Sequence, residues 1–192
     1  MYGEETYAAT ILGVSEKAAQ IFNLEIEEGT FFTEDDVKGK SDAVVIGYKV
    51  ANELFGASDP LGEKIKIKGR NFRIVGVIPQ KGQVSFFNFD EIALMPYSTA
   101  QQYLLGIKYF NRFIVEADSD ETVLRTVEDI KTTLRESHQI TDPEKDDFFV
   151  QTSADLASTF KSVTDVLTLL LTSIAAISLV VGGIGIMNIM LV

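Results

Sequence analysis

The sequence predicts an α+β domain of two lobes carried on one long C-terminal helix, and three observations lead there. Strand-like and helix-like segments alternate from Ala8 to Gln151, the order of a mixed domain and not of a bundle or a sandwich. The stretch from Val166 to Val192 carries no charge, and its roughly 27 residues exceed the ~20 that cross a bilayer. Ahead of it, Leu156, Phe160, Val163 and Leu167 trace one apolar stripe that runs into the apolar stretch with no turn signal between Ser153 and Ser178.

Taken in order, Ala8–Val14 is apolar and short enough for a strand, and Ser15 caps a helix to about Asn23 that buries Ala18, Ile21 and Phe22. Glu25–Phe32 reads as extended and ends at an acidic turn, Thr33-Glu34-Asp35-Asp36. Asp42–Gly47 is a buried strand. Tyr48–Phe55 is a short helix with Val50, Ala51, Leu54 and Phe55 inward, closed by Gly56, where a positive φ costs glycine little. Asp59-Pro60-Leu61-Gly62 is a turn with its φ set by proline. Glu63–Lys68 alternates strictly, Ile65 and Ile67 against Lys64, Lys66 and Lys68, and Gly69-Arg70-Asn71 turns it into Phe72–Ile78 as a hairpin.

Lys81–Asn88 is a loop leading to a strand at Glu91–Met95; Pro96 ends that strand, and Ser98 caps a helix through Leu105. Phe110–Ala117 alternates as a strand. Asp118-Ser119-Asp120 opens a helix to about His138 with Val123, Val127, Ile130 and Leu134 on one face. An acidic loop over Asp142–Asp147 precedes a last short strand, Phe148–Gln151, and Thr152 with Asp155 forms a capping box for the final helix. The domain therefore covers 1–152; 153–165 is a stalk helix and 166–192 a membrane helix.

Composition narrows the function. The net charge of −11 falls before Val166 and repels nucleic acid and anionic head groups, so nucleic acid is not an expected partner. Cysteine is absent, which removes disulfides, thiolate metal sites and thiol catalysis. The apolar run reaches Val192 with no basic flank, and Met1–Glu5 has no signal-peptide pattern. Both fit a piece of a larger membrane protein better than a complete tail-anchored one.

Chemical motifs are few. Gly39-Lys40-Ser41 lacks the earlier glycine of a phosphate loop, with Glu34 in its place, so no ATP hydrolysis is expected of this chain. Asp118-Ser119-Asp120 lacks the glycine of a calcium loop, with Val123 in its place. His138 is the only histidine, and the acidic pairs lie beside turns, so no catalytic, cofactor or metal residue is assigned. In the apolar helix Ser178, Gly182, Gly183, Gly185 and Asn188 are small or polar positions suited to packing against another span. Phe86, Phe87 and Phe89, beside an exposed-looking loop, are candidates for contact with a partner, with core packing the weightier reading.

Two separated patterns carry a resemblance. Asp42–Gly47, Val50-Ala51, Leu54-Phe55-Gly56, Asp59-Pro60-Leu61-Gly62, Phe72 and Val75-Gly76-Val77 resemble the extracytoplasmic core domain of MacB-like ABC transporter permeases. Val180–Val192 resembles the start of that family's second membrane helix. The resemblance implies a porter-like α/β lobe with an inserted smaller mixed lobe over about 42–90, in a permease of the bacterial plasma (inner) membrane. It implies a homodimer, a cytoplasmic ABC ATPase on a separate subunit or domain, and in exporters a membrane-fusion adaptor. It also implies a mechanical role, coupling ATP hydrolysis to extracytoplasmic movement that drives efflux. The alternatives from other classes are a membrane-tethered ligand-binding or sensor module, which needs a deep apolar pocket, and a tail-anchored hydrolase, which needs clustered carboxylates.

Overall fold

The computed structural model describes residues 2–3, 5–84 and 87–191; of Gly185 and Asn188 only the backbone is described. The chain divides into two units, Met1–Glu116 and Ala117–Val192.

The first unit runs β1 (Thr10–Val14), α1 (Ala18–Ile21), β2 (Glu28–Gly29), α2 (Glu34–Gly39), β3 (Ala43–Gly47) and α3 (Tyr48–Phe55). It continues with β4 (Lys64–Ile67), β5 (Arg70–Ile78), β6 (Gln83–Val84), β7 (Phe87–Asn88), β8 (Ile92–Pro96) and α4 (Tyr97–Thr99), which a π-helical run, Ala100–Leu105, extends. One mixed sheet has the order β1-β8-β3-β5-β2, with β4 also on β5. β1 is parallel to β8 and β3 to β5, whereas β8 runs antiparallel to β3.

β3 explains this arrangement. All five of its residues are buried, and alternate side chains point to opposite faces. Val44 and Ile46 join a core with Val50, Leu54, Phe55, Phe72 and Met95. Ala43 and Val45 join another with Phe32, Val37, Phe89 and Leu94. A strand with apolar residues on both faces must be covered on both, and its backbone needs a neighbour on each edge.

β3 bonds to β8 and β5 bonds to β2, strands outside 42–90, so one sheet joins that segment to its flanks. The two compact units meet after Glu116.

Local chemistry sets the joints. Gly47 ends β3 where an added Cβ would lie 2.1 Å from the Phe89 carbonyl oxygen, so only glycine fits. Lys68 and Gly69, at φ 47° and 87°, form the two-residue turn of the β4–β5 hairpin, the geometry that matches strand twist. The expected acidic turn at Thr33–Asp36 is a helix start instead. The Thr33 hydroxyl accepts from the Asp36 amide, Asp36 accepts from the Thr33 amide at 2.8 Å, and Glu34, Asp35 and Asp36 face the positive end of α2. Ser98 is not the cap expected of it: the helix begins at Tyr97, and the Ser98 hydroxyl donates to the Val37 carbonyl.

In the second unit a 3-10 turn over Asp120–Thr122, capped at Ser119, leads into α5 (Val123–His138), whose apolar face is half-buried at Val123, Val127, Ile130 and Leu134. Gln139 at φ 58° ends it. α6 spans Ser153–Met190. The strands expected at Phe110–Ala117 and Phe148–Gln151 are not formed. Their alternation specifies two faces, but a strand exists only where a second backbone completes its ladder, and none does among the described residues.

Candidate functional site: the C-terminal helix and its anchor

α6 is 38 residues long, about 57 Å at the ~1.5 Å rise per residue. It starts on a complete capping box. The Thr152 hydroxyl accepts from the Asp155 amide at 3.1 Å, and the Asp155 carboxylate accepts from the Thr152 amide at 2.9 Å and from its hydroxyl at 2.8 Å. The backbone bond from Thr152, then its hydroxyl, holds the Asp155 carboxyl below the usual carboxylate range.

Beyond Asp165 the helix carries no charge, and none of its most apolar window is buried. Its length and composition suffice to cross a membrane. The two serine hydroxyls in this part do not oppose that environment: Ser173 donates to the Leu169 carbonyl at 2.8 Å and Ser178 to the Ile174 carbonyl at 2.9 Å. A hydroxyl bonded one turn back leaves no donor to desolvate. Gly182 and Gly183 lie inside the helix without breaking it, and an added Cβ at either meets open space. Ser178 and Gly182, four residues apart, lie on one face. The side chain of Asn188 and any contact at Gly185 lie outside the described set.

The segment that delivers the chain to α6 is fastened to α5. Arg135 at the end of α5 meets Asp146 through Nε at 2.8 Å and Nη2 at 2.6 Å, with both side chains about three-quarters buried or more. His138 Nδ1 lies 2.8 Å from Asp147 Oδ1, and the His138 ring meets Phe148 edge-on. The Asp142 carboxylate caps a short turn, accepting from the Glu144 amide at 3.1 Å. Arg135 holds the Asp146 carboxyl below its ordinary range, chiefly through these hydrogen bonds. No sequence pattern announces this pairing, because it joins a helix end to a loop 11 residues on.

The remaining expected residues lie in the first unit. Leu54 and Phe55 are core, Gly56 takes a positive φ of 58°, and the Asp59 carboxylate accepts from the Leu61 amide at 2.8 Å above buried Pro60. Gly62 is also at positive φ, and Leu61 is half-buried against the core. This motif therefore builds a corner. Phe89 is 1% exposed, packed on Phe22 at 5.3 Å, and is unavailable to a partner. Its position under the hairpin β6–β7 follows from Asp90, whose carboxylate accepts from the Lys81 and Gly82 amides and folds the loop over it. Phe87 is half-buried, edge-on to Phe22 at 5.8 Å; Phe86 lies outside the described residues.

A groove of about 420 Å³ is lined by Glu27, Glu28, Tyr48, Asn52, Ser58 and Asp59 among others, and it is wide open to solvent. Among the described residues no group of His, Cys, Asp and Glu is placed to hold a metal.

Comparison with known proteins completes the description. A family model described as MacB-like periplasmic core domain matches residues 1–133. The macrolide export ATP-binding/permease protein MacB of Bdellovibrio bacteriovorus is 36% identical over 192 residues, which is 100% of this chain and 30% of that protein. The protein of the same name from Wolinella succinogenes is 35% identical, over 100% of this chain and 29% of its own length. The pyoverdine export ATP-binding/permease protein PvdT of Pseudomonas syringae pv. syringae is 35% identical over 99% of this chain and 29% of its own. This chain thus spans under a third of the curated relatives it matches. Among solved structures, the periplasmic region of MacB from Actinobacillus actinomycetemcomitans shares the fold with a TM-score of 0.65, over 84% of this chain and 70% of that one, at 23% identity. The extracellular domain of the noncanonic ABC-type transporter YknZ from Gram-positive bacteria gives 0.62 over 72% and 70%, at 22% identity.

Proposed function

We propose, for a chain that belongs to the family of MacB-like periplasmic core domains, that it forms the extracytoplasmic domain and second membrane helix of an ABC transporter permease. In this reading the domain stands outside the bacterial inner membrane and α6 enters the bilayer. The permease works as a homodimer, with ATP hydrolysed by an ABC ATPase on the cytoplasmic side and, for an exporter, a membrane-fusion adaptor on the domain. The named relatives are export proteins, which favours efflux as the direction of transport.

The role of the chain is mechanical. One observation carries this: α6 runs unbroken from its capped start at Ser153 to Met190 while its surface changes from charged to uncharged and mostly apolar. A continuous helix transmits tilt and displacement, whereas a flexible linker absorbs them. The charged part of α6, residues 153–165, stands as the stalk ahead of the uncharged part that enters the bilayer.

The test is Val163→Pro in the complete transporter. Proline removes a helix bond and clashes with the preceding turn, at a cost of about 3 kcal/mol. Export should collapse while the permease still assembles with its ATPase. Export at the original rate, with the kink verified spectroscopically, overturns the proposal.

A further inference from the structure

Polar side chains are few on α6 beyond Phe160, and they are unevenly placed. Lys161 and Asp165 are the only charged side chains in 160–192, and six hydroxyl side chains follow Phe160. Four of these bond one turn back: Ser162 donates to the Ser158 carbonyl, Thr164 to that of Phe160, Ser173 to that of Leu169 and Ser178 to that of Ile174. Thr168 and Thr172 make no such bond, and neither hydroxyl has another partner among the described residues.

Spacing gathers the unpaired groups on one line. Lys161, Asp165, Thr168 and Thr172 follow one another at steps of four, three and four. That is the 3.5-residue repeat by which two helices crossing at about +20° keep one seam in contact. The repeat continues through Ala175, Leu179 and Gly182, where alanine and glycine let a second backbone come close. All four self-bonded hydroxyls lie off this seam, and both unbonded ones lie on it. A hydroxyl in hydrocarbon that does not bond its own backbone needs a partner from another segment. Lys161 and Asp165 are also without an ion-pair partner among the described residues, and lysine four residues ahead of an acid is the weaker order for a pair within one helix.

The seam is complementary to itself. Two copies of α6 in one membrane run parallel, so each layer meets its own counterpart. A hydroxyl both donates and accepts, so Thr168 can pair with Thr168 of a second copy, and Thr172 with Thr172. Lys161, on its four-carbon stem, reaches one turn along the seam to Asp165 of the second copy, and the two-fold axis repeats the pair. The four charges then sum to zero and no polar group on the seam is left without a mate.

We propose that α6 pairs in parallel with α6 of a second copy through this seam, with two reciprocal Lys161–Asp165 ion pairs at the membrane entrance above two threonine layers. The inference rests on the reading of the chain as part of a homodimeric membrane permease, and it adds where and how the two copies meet.

The chain has no cysteine, so an introduced thiol is the only one. In phosphatidylcholine vesicles under copper–phenanthroline, Thr168→Cys, Thr172→Cys and Ala175→Cys should form disulfide dimers at least about fivefold faster than Leu170→Cys and Ile177→Cys, which face away from the seam. Lys161→Asp and Asp165→Lys should each weaken association, read by Förster transfer, by roughly fivefold, and the exchange Lys161→Asp/Asp165→Lys should restore it. Thr168→Val/Thr172→Val keeps the shape and should weaken association, whereas Thr168→Ser/Thr172→Ser should not. Equal cross-linking at all five positions overturns the proposal. So do single charge variants that associate like the original, or a charge exchange that restores nothing. No cross-linking on the seam, with Thr172→Cys shielded from aqueous maleimide, overturns this proposal alone and gives the face to another span of the permease. Thr172→Cys open to that reagent overturns the membrane reading of α6 as well.

Discussion

The Arg135 guanidinium grips the Asp146 carboxylate at two points, Nε to Oδ1 at 2.8 Å and Nη2 to Oδ2 at 2.6 Å. Fork-to-carboxylate pairing fixes orientation as well as distance, and here it fixes the loop that precedes α6 against the end of α5. Lysine, with one point charge, cannot reproduce it. Arg135→Lys and Asp146→Asn should therefore both raise amide exchange across residues 140–151 while leaving β3 unchanged. Equal exchange in all three proteins would show that the loop is held by other contacts.

The pH dependence of this contact has a definite sign. Asp146 is held below its ordinary carboxyl range by Arg135, so its contribution to stability is present above the unfolded value of about pH 4. It is lost as pH falls through the lower, folded value. Asp155, lowered by its Thr152 bonds, behaves the same way at the start of α6. Both segments should loosen only in acid below about pH 4, and their protection factors, which correct for the intrinsic rise of exchange with pH, should be flat from pH 5 to 8. A transition near neutrality would show that these segments are not held by the Asp146 and Asp155 carboxylates.

Phe89 is a core residue despite its place beside a loop. Truncation to alanine removes a side chain 1% exposed and leaves a cavity between Phe22 and β8, at an expected cost of about 3–5 kcal/mol in thermal or denaturant unfolding. Half-buried Phe87 should cost clearly less on the same treatment. Equal, small losses at both positions would restore Phe89 as a surface residue.

These aromatics show where sequence reading succeeds and where it stops. Strict alternation at Lys64–Lys68 specified the hairpin and its faces, because a period of two is a local property. The capping residues at Thr152 and Asp155 were equally local, and so was the length of α6. The same alternation at Phe110–Ala117 suggested a strand that does not form, since pairing depends on a distant backbone. The join of β1 to β8, the sharing of one sheet by 42–90 and its flanks, and the Arg135–Asp146 grip are contacts between remote positions, and no spacing encodes them. Thr33 and Asp36 are the exception. Their capping pattern is local, and the three adjacent acids, which also suit a solvated turn, here face the positive end of the helix they begin.

Gly47 offers a test of the close approach behind β3. A methyl group placed 2.1 Å from the Phe89 carbonyl oxygen meets backbone, which cannot rotate aside as a side chain can. Gly47→Ala should destabilise the first unit by about 1–3 kcal/mol or more, measured by denaturant unfolding. Gly69→Ala, strained by its φ of 87° but facing open space, should cost about 1 kcal/mol. A reversed order would mean that β3 shifts freely relative to the turn at Phe89.

In the membrane the proposed packing face can be located by geometry alone. Ser178 and Gly182 are one turn apart on the same side, whereas Gly183 is rotated by about 100° from Gly182. Both glycines have open space where a side chain would begin, so the helix itself tolerates either substitution. A helix that packs through Ser178 and Gly182 loses close approach when Gly182 becomes leucine. Gly182→Leu should therefore lower self-association of α6 in bilayers by roughly fivefold or more, and Gly183→Leu should have a distinctly smaller effect, an interaction of about 1–2 kcal/mol being typical between spans. Förster transfer between labelled chains in vesicles measures both. Identical curves for the two variants would remove Gly182 from the interface and shift the contact to another face of the helix.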